Sequence, residues 1–85
     1  MDTSEARKAR ARGEKAANLL DNETLKAAFD ETLKQINDEF HKADTSDTAQ
    51  LQALCAEVKA VKRVRERLQT FVNAGKEAQR KLSNG

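Results

Sequence analysis

Side chains able to do acid–base, nucleophilic or metal chemistry are scarce in this chain, which has one His, His41, and one Cys, Cys55. A general base must sit within hydrogen-bond reach of a nucleophile or an orienting carboxylate. His41 instead falls at the end of a helical pattern, where a solvated imidazole interacts with the helix dipole. Cys55 lies between Leu54 and Ala56 at the edge of an apolar stripe, and reads as a small buried hydrophobe. One Cys and one His cannot complete a zinc site within one chain. The carboxylates form no inward-facing Glu-x-x-His set, which excludes a di-iron bundle. The expectation is a protein without catalytic residues, metal or cofactor, and so not an enzyme.

Phosphate recognition is the remaining chemistry with residues to support it. Lys59, Lys62, Arg63 and Arg67 share an outward face of the C-terminal segment, while Arg7, Lys8, Arg10, Arg12 and Lys15 crowd the N-terminal one. One reading is a surface for nucleic acid or an anionic nucleotide. The other is solvated helix faces, partly neutralised by Glu23, Asp30 and Glu31 from the neighbouring segment. No aromatic is interleaved among these bases, so base stacking has no platform. Solvated faces are the more economical reading, and both stay open at this point.

The elements that must position these residues are helices. The chain has no Pro, three Gly and 4% aromatics, a composition that favours helix. Leu51, Leu54, Val58, Val61, Leu68, Val72 and Leu82 recur at spacings of three, four and seven or their sums, the period of one helix face. Phe71 borders the same stripe. Upstream, Leu25, Phe29, Leu33, Ile36 and Phe40 repeat at four, four, three and four. Ala6, Ala9, Gly13, Ala16 and Leu20 form a heptad seam of small residues, able to let two backbones approach while burying little area. This first segment is expected to be the least stable.

Caps and turns divide the chain into helices over 4–20, 22–43 and 48–82, with a turn at 44–47, all in a single domain. Asp21 or Asn22 either caps a new helix or is passed through by a continuous one. Ser46 or Asp47 caps the last helix. A tight turn at 44–47 makes its flanking helices antiparallel neighbours. Phe40 then meets Leu51, Ile36 meets Leu54 or Cys55, Leu33 meets Val58, Phe29 meets Val61, Leu20 meets Phe71, and Ala16 meets Gly75. Arg65 interrupts the stripe. It either lays its stem on the apolar face with its head in water, or forms a buried pair with Glu23 or another chain.

The fold class expected is therefore all-α: an antiparallel helical hairpin whose first arm is kinked or broken near 21–22. Only sixteen Leu, Ile, Val and Phe side chains serve 85 residues. A core this thin argues for self-association into a helical bundle. Charge is uneven: residues 21–47 carry eight acids and three bases, net −5, and residues 48–85 carry eight bases and three acids, net +5. The longest apolar run is four residues, Ala53 to Ala56, so no membrane helix is expected. The basic N-terminus is not followed by an apolar stretch of signal-peptide type. A lone Cys fits a reducing cytoplasm, and the initiating Met1 suggests a complete small gene product.

The segments Ala11-Arg12-Gly13-Glu14-Lys15-Ala16, Leu19-Leu20-Asp21-Asn22, Ala28-Phe29-Asp30, Val58-Lys59-Ala60-Val61 and Gly75-Lys76-Glu77-Ala78, with the Asp44 to Asp47 turn, resemble short helical accessory proteins of tailed bacteriophages. Such proteins are often encoded among head and DNA-packaging genes. The resemblance covers roughly residues 6–82. It implies a phage accessory protein in the host cytoplasm and supplies no functional residues. Under it, the leading expectation is an oligomeric assembly protein acting through protein or DNA contacts. An anti-defence protein that sequesters a signalling nucleotide or blocks a host immune effector is the alternative. A free-standing nucleic-acid-binding regulator is a third.

Overall fold

The computed structural model describes residues 2–84, which form three α-helices: α1 (Thr3–Leu20), α2 (Glu23–Lys42) and α3 (Thr48–Asn84). Each helix start has a side-chain cap. Asp2 accepts a hydrogen bond from the Glu5 amide at 2.8 Å, Asn22 from the Leu25 amide at 2.9 Å, and Asp47 from the Gln50 amide at 3.1 Å. Each carboxylate or amide oxygen thus satisfies a backbone donor that the first helical turn leaves without an intrahelical partner.

The joint at 21–22 is a break and not a continuous helix. Asn22 is extended, with φ −72° and ψ 121°, and the Asp21 amide closes α1 by donating to the Ala17 carbonyl. Asn22→Ala removes the cap while leaving the chain path intact. The expected loss is about 1 kcal/mol, a fall of roughly 4–8 °C in Tm for a domain of this size, read by thermal circular dichroism.

Between α2 and α3, Asp44 organises the turn. Its Oδ1 accepts from the Ser46 amide at 2.9 Å and from the Ser46 hydroxyl at 2.8 Å. These bonds, the backbone one foremost, hold the Asp44 carboxyl below the ordinary carboxylate range. A lowered value means the ionised form is favoured by folding. Its contribution is present above the ordinary carboxylate pKa and is lost as pH falls through the lowered one.

Both α1 and α2 lie along α3, with rising α3 numbers meeting falling numbers in the other two. The closest approach is between α1 and α3 at Gly13 and Gly75. A Cβ built on Gly13 would stand 2.8 Å from the Gly75 Cα and 2.8 Å from the Phe71 carbonyl oxygen. Ala6, Ala9, Gly13 and Ala16 are all buried there, and Ala78 is sealed completely with Leu82 packed alongside. The expected contact of Ala16 with Gly75 is therefore corrected by three residues, about 4.5 Å along the helix. Gly13 is the only residue of α1 without a Cβ, so a crossing this close must fall on it. The seam expected to be weakest is also where the backbones pack most tightly.

Along α2 the packing is looser. Ile36 and Leu54 are buried, whereas Leu25, Phe29, Leu33, Phe40, Leu51, Val58, Val61, Leu68, Phe71 and Val72 are only partly so. Thr70 donates its hydroxyl back to the Glu66 carbonyl at 2.9 Å, the local bond open to a Thr on an exposed helix face. The molecule is a thin slab, 59 × 25 × 14 Å between Cα extremes, with a radius of gyration of 17.9 Å. A compact chain of this length has a radius of gyration of about 12 Å. Its accessible surface is 6456 Å², against about 5,000 Å² for a compact monomer of the same mass. Helices lie side by side in one layer, with nothing stacked on either face of it.

Candidate interaction surfaces

The two candidates for reaction chemistry both lie at the surface. His41 is exposed near the end of α2, and Cys55 is exposed on α3. The assignment of Cys55 to a buried edge of the stripe is corrected: Leu54 takes the inward position and Cys55, a residue further round the helix, turns to solvent. Among the described residues no group of three or more His, Cys, Asp or Glu side chains converges on a point.

Arg65 lies on the stripe as a half-exposed side chain. Its guanidinium sits 5.2 Å from the centre of the Phe29 ring and its Nη1 is 3.9 Å from Asp30 Oδ1. The stem covers apolar surface and the head reaches the rim. Its carboxylate partner is Asp30; Glu23 pairs instead with Lys26 on its own helix at 3.9 Å. With both partners well exposed, such a pair is worth under about 1 kcal/mol.

The N-terminal basic cluster is partly spent on folding contacts. Arg12 stacks over the Phe71 ring at 4.3 Å. Arg10 is partly buried and donates from Nη1 to Gln79 Oε1 at 3.3 Å. Arg7, Lys8 and Lys15 remain exposed. The cluster on α3 differs: Lys59, Lys62, Arg63 and Arg67 are all exposed and enter no ion pair among the described residues. Among the described residues Glu31 also enters no ion pair, so the neutralisation expected across the helices is confined there to Asp30 and Arg65. Most of the opposite charge of residues 21–47 and 48–85 is left unused within the chain.

Two adjoining grooves run between α2 and α3 and share Thr32, Ala60 and Val61. The more apolar one, about 340 Å³, is lined by Leu25, Ala28, Phe29, Thr32, Ala60, Val61 and Val64. Val64 is 53% exposed. It follows Val61 by three residues and precedes Leu68 by four, so the spacing admits either Val64 or Arg65 at this turn, and Arg65 takes the half-buried position. The signal that reveals it is a second, smaller repeat beside the first, Ala28 with Thr32 on α2 and Ala60 with Val64 on α3, which widens the apolar arc. Leu19, at the end of α1, is likewise 48% exposed.

Fold and surfaces together define an all-α protein with two adjoining grooves between α2 and α3 and a basic ridge on α3 that enters no ion pair among the described residues. No helix of the described residues is long and apolar enough to cross a membrane. No family model, curated protein or solved structure matches the chain.

Proposed function

We infer that this chain is a non-enzymatic binding and assembly protein that works as a homo-oligomer, an antiparallel helical hairpin completed into a bundle by further copies. The observation that carries this is the surface excess of a one-layer slab. About 1,400 Å² more surface is exposed than a compact chain of this mass would show. That lies within the area one subunit buries in an obligate interface, about 1,000–2,500 Å². The groove of Leu25, Ala28, Phe29, Val61 and Val64 is the face a second copy would cover. Charge favours a like partner over an unlike one. The net −5 of residues 21–47 and net +5 of residues 48–85 meet in one ion pair among the described residues, leaving unlike surfaces to align between antiparallel copies.

The resemblance to phage accessory proteins supplies a setting, the host cytoplasm during particle assembly, with a protein or DNA partner held by the assembled bundle. Thermal unfolding tests the oligomer. If folding and association are coupled, Tm rises with protein concentration. A Tm constant over a hundredfold range of concentration contradicts it.

A further inference from the structure

We propose that the outward ridge of α3 formed by Lys59, Lys62, Arg63 and Arg67 is a binding face for the phosphate backbone of nucleic acid, engaged without regard to sequence. Lys59, Arg63 and Arg67 stand at successive i, i+4 positions. A helix rising 1.5 Å per residue therefore sets them about 6 Å apart along one side, with Lys62 flanking. All four are exposed and free of ion pairs among the described residues. This distinguishes them from Arg10, Arg12 and Arg65, whose guanidiniums are already held by Gln79, Phe71 and Asp30.

The ridge faces away from α2. Val58, Val61 and Arg65, on the opposite side of the same turns, are the partly buried residues. A second copy seated in the α2–α3 groove thus leaves the ridge open, and one copy alone already presents it, so the inference does not rest on oligomerisation. The single acid among these side chains is Glu66, exposed beside Lys62 and Arg63. Its carboxylate forms no ion pair with either.

The chemistry of the face selects the partner. Gln52, Ala56 and Thr70 continue it above and below, so it has no large apolar side chain to anchor a protein groove or enter a membrane. It carries no aromatic on which a base could stack. What remains is a straight row of permanent charge on a rigid rod about as wide as the major groove. That arrangement suits a polymer with regularly spaced phosphates.

Fluorescence anisotropy with two duplex DNAs of unrelated sequence tests this. Both duplexes should bind equally. With four phosphates neutralised per copy, affinity should fall roughly hundredfold between about 50 and 200 mM salt. Arg63→Gln with Arg67→Gln should lower affinity by at least tenfold at low salt and flatten the salt slope by about 2. Lys34→Gln with Lys42→Gln removes the same charge from exposed positions on α2, off the ridge, and should change affinity less than threefold. Equal losses for the two double variants would overturn the ridge as the site. So would tighter binding of a free nucleoside triphosphate than of duplex, preference for one sequence, or no duplex binding at low salt. All four side chains are exposed, and unchanged unfolding curves establish that the variants fold.

Discussion

Gly13→Ala should lower the melting temperature, although the same change in an exposed helix raises it. Helix propensity alone favours Ala over Gly by about 1 kcal/mol. Against it stands a new Cβ 2.8 Å from the Gly75 Cα and 2.8 Å from the Phe71 carbonyl oxygen. Both obstacles are backbone, which cannot rotate aside as a side chain can. Overpacking costs about 1–3 kcal/mol where neighbours are able to shift, and here the upper end applies because two helices must move apart. The expected net loss is about 1–2 kcal/mol, or roughly 4–16 °C in Tm. Gly75→Ala meets the Gly13 Cα at 2.9 Å and the Ala9 carbonyl oxygen at 3.2 Å, so it should lose a similar amount. Leu at either position should detach α1 and unseat Ala6, Ala9 and Ala78. An unchanged or raised Tm for either Ala variant would show that α1 does not cross α3 where the structure places it.

Val64→Asp should split the oligomer into folded single copies. Val64 is half exposed in one chain, so an Asp there costs the isolated chain little. Beneath a second copy the same carboxylate is buried without a partner, a penalty of about 3 kcal/mol, which weakens association roughly hundredfold. Leu54→Asp provides the contrast. Leu54 is buried within the chain itself, and a charge there should abolish helical signal and association together. Light scattering paired with circular dichroism separates the two outcomes. If Val64→Asp unfolds the protein as Leu54→Asp does, the groove is part of the chain's own core. If it leaves the mass unchanged, the groove is not the interface.

Helix identity was legible because every segment combines strong periodicity with a polar cap. Asn22, Asp44 and Asp47 do what short polar side chains do at helix starts and turns. The small seam of Ala6, Ala9, Gly13 and Ala16 was legible from its spacing, and its burial follows. Its register was not. A straight arm places Ala16 opposite Gly75, but the break at Asn22 frees α1 to slide until the residue without a Cβ lies at the crossing. The exposure of Cys55 on α3 has a related cause. It borders the stripe, and with α2 packed against Leu54 and Val58 there is no third helix to enclose its neighbour. The same missing layer explains the exposure of Val64 and the partial burial of ten of the twelve stripe residues. Periodicity reports which face is apolar. How much of that face one chain can cover depends on the number of layers, which no local pattern encodes.

Charge was legible in amount and not in use. The surplus of bases after residue 48 pointed to the ridge at Lys59, Lys62, Arg63 and Arg67, and those side chains are indeed free. Arg10 and Arg12 had the same standing in the sequence, yet Gln79 and Phe71 occupy them. A basic residue's availability is set by what the opposing helix brings beside it, and that follows from the three-residue shift at Gly13.

The molar mass in solution, taken by light scattering through a dilution series, bears most directly on whether one chain is a whole molecule. A mass two or more times 9.5 kDa at micromolar concentration, falling towards that of one chain as the assembly dilutes apart, is the predicted result. A particle of 9.5 kDa that stays folded and unfolds cooperatively at every concentration would contradict it.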